Sequence, residues 1–233
     1  MGYGISETAD VMGRLIQKLE YASANLANSS TSGYKAVHLY AVNKEKQEGE
    51  TTTPELVPMV DFSPGLAQRT GNPLDVMIEG EGFFVIQTKD GLAYTRRGDF
   101  TLDRDGRLVT QAGDPVLGEG DRPINVKGGQ VSISEDGAIK VDSEEVGKLS
   151  VVSFEDPLRL ERKANGYFMS PVPGRKVDRP KVVQGALEMS NVNAIREMVD
   201  LIDIQRSFEI YQKVIQTVSE EERTATSRVG RLA

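Results

Sequence analysis

Leu201, Ile204, Phe208, Tyr211, Ile215 and Val218 recur at a strict 3,4,3,4,3 spacing, and a chain with that pattern has few alternatives to a helix. Residues three and four apart stack on one helical face, whereas a strand would send successive residues to opposite faces. The same spacing governs the other end of the chain, where Ile5, Thr8, Met12, Leu15, Leu19, Ala22 and Leu26 form a seam of about three heptads. The C-terminal stripe is wider than a two-stranded seam requires, because Ile195, Met198, Val199, Ile202, Ile210 and Val214 flank it. Asn193 is placed to cap its start, and Glu197 falls in its first turn. If the two helices paired only with each other, the extra apolar width would face water. Partner chains are the simpler cover.

Between the seams the period changes. Residues 74–79, 83–88, 100–103, 107–110, 131–134 and 146–154 read as short strands rich in Val, Ile and Phe, punctuated by Asp90-Gly91, Asp105-Gly106 and Asp136-Gly137 at hairpin positions. Val76, Ile78, Phe84, Ile86, Leu102 and Leu108 are the core candidates. The polar, Pro-interrupted stretches 41–60 and 171–181 read as extended connectors. The expected class is therefore α+β. An N-terminal helix over 1–35 and a C-terminal helix over 183–233 pack as a coiled-coil-like helical domain, an extended connector covers 36–70, and a mainly antiparallel β domain covers 71–182.

Composition closes several routes to chemistry. The 233 residues include no Cys, which removes disulfides, thiolate nucleophiles and Cys-based metal sites. A net charge of -7 with no cluster of Lys and Arg argues against a nucleic-acid partner. The longest strictly apolar run, Phe83 to Ile86, is far short of the roughly 20 residues of a bilayer span, so no stable membrane insertion is expected. His38 is the only histidine and has no Ser or Asp at informative spacing. Asp103-Arg104-Asp105-Gly106 opens like a calcium loop but lacks the closing Glu, and Glu79-Gly80-Glu81-Gly82 describes a turn better than a glycosidase cleft. No phosphate-cradling glycine loop is present. The expected protein is not an enzyme and needs no metal or other cofactor.

Three stretches carry a resemblance that periodicity could not supply. SANLANSSTSGYK, following the first seam, resembles the motif that closes the first helix of bacterial flagellar rod and hook proteins. GNPLDVMIEGEGFFVIQTKDGLAYTRRGDFTLDRDGRLVTQAGDPVLG is similar to that family's β-domain signature, and QGALEMSNVNAIREMVDLIDIQRSFEIYQKVIQT resembles its C-terminal helix. The chain length, GNPLDV and DPVLGEGDRPI are most similar to the proximal-rod branch, with the distal rod as the alternative.

The resemblance implies export through the flagellar type III apparatus and assembly outside the cytoplasm into the periplasmic rod. The expected neighbours are copies of itself and other rod proteins, with terminal helices crowded in the axial core. The residues it points to for assembly are Leu15, Leu19, Ala22, Asn25, Leu26, Ala27, Asn28 and Gly33 at one end. At the other they are Asn191, Asn193, Leu201, Ile204, Phe208, Tyr211, Ile215 and Val218. Small Ala22, Ala24 and Ala27 would permit close approach, while Asn25 and Asn28 would satisfy backbone groups at the helix end. Without partners, residues 1–35 and 190–233 are expected to fluctuate while the middle holds its fold.

Overall fold

The computed structural model describes residues 2–42 and 54–229, which fall into two compact units; residues 43–53 of the expected connector lie outside the described residues. The helical unit contains α1 (Gly2–Ala27), strand β1 (Val37–Val42), strand β2 (Glu55–Val60) as far as Met59, and α2 (Ala194–Val229). The two helices pack on each other, β1 packs on α1, and β1 pairs with β2. At 36 residues against 26, α2 is the longer helix. Its start is capped as the sequence indicates: the Arg196 N–H donates to Asn193 Oδ1 at 3.1 Å and the Glu197 N–H to the Asn193 carbonyl at 3.0 Å.

The β unit takes in Asn28–Ala36 and Val60–Val192. Its largest sheet is antiparallel, with strands in the order Glu161–Arg162, Tyr167–Met169, Gly91–Thr95, Phe83–Thr88, Val151–Ser153 and Arg175–Lys176. A three-stranded antiparallel sheet (Val131–Ile133, Ala138–Val141, Glu144–Lys148) and several two-stranded pairs complete it. The uninterrupted run Phe83-Phe84-Val85-Ile86 is explained by burial on both faces. Phe84 and Ile86 enter one core with Val116 and Ile139, while Phe83 and Val85 enter a second with Tyr94 and Phe168. Each of the three Asp-Gly pairs lies in a hairpin, with Gly91, Gly106 and Gly137 at φ 119, 79 and 86.

The differences from the sequence reading have physical reasons. Residues 146–154 are not one strand: the chain passes from Glu144–Lys148 in one sheet to Val151–Ser153 in another. At the crossing, the Leu149 and Ser150 N–H groups donate to the Gly137 and Leu117 carbonyls. An apolar run looks the same whether it serves one sheet or two. Leu102 is 37% exposed on the outer strand of its hairpin, opposite the fully covered Leu108. The stretch read as connector is extended but paired: besides β1 and β2, Ala67–Arg69 pairs with Ala186–Glu188. Beyond the end of α1, Tyr34, Lys35 and Ala36 are buried in the β unit.

Candidate assembly surface

The helical unit holds an open cleft of about 410 Å³ between α1, α2 and β1, lined by Leu15, Ala22, Asn25, His38, Glu197 and Ile204 among others. Asn25, 2% exposed, organises its floor. Its Nδ2 donates to the Val37 carbonyl at 2.9 Å while its Oδ1 accepts from the Val37 N–H at 3.0 Å. The side-chain amide thus pairs with both backbone groups of Val37, as a neighbouring strand would, at the start of β1. The same Nδ2 reaches Glu197 Oε1 at 3.2 Å, across 172 residues of sequence. Burial pushes the Glu197 carboxyl above its ordinary value, against the opposing pull of the Asn25 hydrogen bond and the nearby His38.

The candidate assembly residues divide by environment. Leu15, Ala22, Asn25 and Ile204 meet at the cleft. Leu201, Phe208, Tyr211, Ile215 and Val218 are half-buried along α2, as is Leu26 on α1. Leu19 and Ala27 are exposed. The flank of α2 stays in solvent, with Ile195 77% and Ile210 61% exposed, as does Ile16 of α1. Asn28 Oδ1 accepts from Thr31 Oγ1 at 3.2 Å in the turn after α1.

Gly33 and Asn191 serve the interior of the β unit. Gly33 sits at φ 64, and a Cβ there would stand 2.5 Å from the Arg96 carbonyl carbon and the Arg97 nitrogen, so no other residue fits. Asn191 Oδ1 accepts from the Ala36 N–H at 2.8 Å, and its Nδ2 donates to the Asp61 carbonyl at 2.9 Å and to Ser63.

Beside them lies a buried ion network that the sequence reading missed. Lys35, Arg96 and Glu188 are 2%, 6% and 3% exposed. Lys35 Nζ meets Glu188 Oε1 at 2.7 Å and the Ser63 carbonyl at 2.6 Å; Arg96 Nε meets Glu188 Oε2 at 2.8 Å. Arg96 also donates to the carbonyls of Gly82 at 2.6 Å and Gly80 at 2.8 Å, and the Gly65 N–H donates to Glu188 at 2.9 Å. Burial would raise the Glu188 carboxyl, but Arg96, then Lys35 and the Gly65 N–H, hold it below its ordinary value; burial lowers the Lys35 ammonium. The one available signal was a lone charge set among apolar and small neighbours, as in Tyr34-Lys35-Ala36 and Leu187-Glu188-Met189.

Glu79 and Glu81 are exposed at the rim of a pocket of about 530 Å³ that Phe62, Phe83 and Phe154 help to line. Among the described residues no group of three His, Asp or Glu is arranged to hold a metal, and no helix is long and apolar enough to cross a membrane.

Residues 183–228 match the family described as flagellar basal body rod FlgEFG protein C-terminal, and residues 77–141 match the flagellar hook protein FlgE/F/G D1 domain. The flagellar basal-body rod protein FlgF of Caulobacter vibrioides is 31% identical over 230 residues, covering 94% of each chain. FlgF of Rhizobium meliloti is 36% identical over 203 residues, 84% of each chain. FlgG of Buchnera aphidicola from Schizaphis graminum is 32% identical over 229 residues, covering 84% of this chain and 87% of that one. The chain therefore belongs to the family of flagellar basal-body rod proteins.

Proposed function

We propose that this chain is a structural subunit of the flagellar basal-body rod, of the proximal, FlgF type, which polymerises to form part of the shaft that transmits torque. The observation that carries the reading is the match to rod proteins along 94% of both chains. The uncovered apolar flank of α2 gives it a physical basis, since that surface gains most from a neighbour. In this reading α1 and α2 pack in a coiled-coil-like manner against copies of the chain and other rod proteins. Leu15, Leu19, Leu26, Ala27, Leu201, Ile204, Phe208, Tyr211, Ile215 and Val218 contribute to that contact, and the β unit forms the outer layer. Export through the flagellar type III apparatus precedes assembly in the periplasm. No cofactor takes part.

Deleting the gene in a motile host tests the reading: motility and rod completion should fail while growth persists, and intact rods would overturn it. Similarity to FlgG supports a distal-rod position as the second reading; localisation along purified basal bodies separates the two. A glycan-hydrolysing role through Glu79 and Glu81 would require motility or wall digestion to fail in E79Q/E81Q, whereas a rod subunit tolerates both changes.

A further inference from the structure

The buried guanidinium of Arg96 holds an exposed turn in place. Anchored on Glu188, it donates to the carbonyls of Gly82 at 2.6 Å, Gly80 at 2.8 Å and Ile78 at 3.4 Å, which frame Glu79-Gly80-Glu81-Gly82. The exposed residues Glu79 and Glu81 are thereby carried on fixed backbone at the rim of the pocket of about 530 Å³. The pocket itself is aromatic. Phe83 is buried, Phe62 and Phe154 are half-buried, and Phe83 meets their rings at centroid distances of 5.7 and 5.8 Å; Pro64 and Pro157 extend the apolar lining. Lys35 and Arg96 also line it, but both are already engaged by Glu188. The rim is not neutralised: Glu79 and Glu81 enter no ion pair among the described residues, although Lys181 stands opposite Glu79 on the paired strand. All of these residues belong to the β unit.

We propose that this pocket is a docking site for an extended segment of a partner protein in which a large apolar side chain stands next to an Arg or Lys. The apolar side chain covers the half-buried rings and the cation meets the rim carboxylates, while its aliphatic stem lies along the aromatic lining. Charge selects the class of partner. Phosphate-bearing surfaces, whether nucleic acid or anionic lipid, would meet Glu79 and Glu81 as like charges. The volume lies within the roughly 300–1,000 Å³ of pockets that enclose groups of this size. Arg96 acts as a positioning residue, because a lysine in its place keeps the charge beside Glu188 but not the fork of donors that reaches three carbonyls. The inference goes beyond the rod reading and does not depend on it. That reading places assembly on α1 and α2, so loss of this contact is read as binding and not as motility.

The test titrates the purified, isotope-labelled full chain with the peptide acetyl-Pro-Leu-Arg-Gly-amide and follows the Gly80, Glu81 and Gly82 amides by nuclear magnetic resonance. The expected result is saturable binding that weakens by about tenfold or more in E79K/E81K, and equally for the same peptide carrying Glu in place of Arg. A peptide with Gly in place of Leu should also bind more weakly. R96K, with its β unit folded by near-ultraviolet circular dichroism, should shrink the preference for the Arg peptide over the Glu peptide, a readout that a merely structural role would leave unmoved. If R96K unfolds the β unit, E79K/E81K decides. No saturable shift at millimolar peptide, equal binding of the Arg and Glu peptides, or undiminished binding of the Gly peptide would overturn the proposal. A concentration-dependent dimer of the free chain that E79K/E81K abolishes would assign the pocket to a second copy and overturn it as well.

Discussion

Glu188 and Glu197 stand nine residues apart, both less than a tenth exposed, yet their carboxyls are shifted in opposite directions. In the β unit, two cations and a backbone N–H surround Glu188, and the ionised form prevails over the burial that opposes it. In the helical unit a single amide reaches Glu197, and burial prevails. The first unit has completed its polar interior from its own sequence; the second has an unfinished one. The apolar surfaces repeat the contrast. Phe84, Ile86, Val116 and Ile139 are entirely covered, whereas Ile195, Ile202 and Ile210 are more than half exposed.

The strongest way to break this comparison is to remove the centre of the completed network. Glu188→Ala leaves Lys35 and Arg96 as buried, unpaired cations and should destabilise the β unit by about 3–5 kcal/mol, read by chemical denaturation. Glu79→Ala at an exposed site should stay within about 0.5 kcal/mol. A loss at Glu188 no larger than this control would show that the network contributes little.

Leu201→Asp with Phe208→Asp attacks the other unit by placing two charges on the half-buried stripe of α2, at several kcal/mol each. Exclusion from basal bodies is expected, with the β unit still folded by near-ultraviolet circular dichroism. Normal incorporation would remove this stripe from the assembly contact.

Hydrogen exchange on the dilute monomer sharpens the boundary between the units. Amides of α1 and α2 should exchange rapidly, and those of Phe83–Thr88, Gly91–Thr95 and Val151–Ser153 slowly. The Gly33 amide, donating to the Glu188 carbonyl at 2.7 Å, should be protected with the β unit. Strong protection of both helices in a verified monomer would show that they are stable as a pair.

The smallest expected effect is on pH dependence. Folding lowers the Glu188 pKa from 4.5, so the unfolded chain binds more protons in the window below that value; this contribution is present above about pH 4.5 and is lost on acidification through the folded pKa. Folding raises the Glu197 pKa, so the folded state binds more protons in the window above 4.5, and stability falls as pH rises through it. Glu197→Gln should abolish that second slope and stabilise the helical unit at neutral pH by less than about 1 kcal/mol. A helical-unit stability that rises over this window in the native chain would contradict the assignment.

The sequence alone determined the two terminal helices, the Asp-Gly hairpins and most of the β core, because each depends on neighbours within a few residues. A 3,4 spacing, an Asp-Gly pair or the Phe83–Ile86 run carries its meaning locally. Asn193 was legible as a cap for the same reason, its partner being Arg196. The tertiary structure decided what no local pattern encodes. It split 146–154 between two sheets, gave Asn25 its partners Val37 and Glu197, and assembled Lys35 with Glu188 across 153 residues. A lone charge among apolar neighbours in sequence does not identify the counterion it will meet, since that depends on which distant segments the fold brings together.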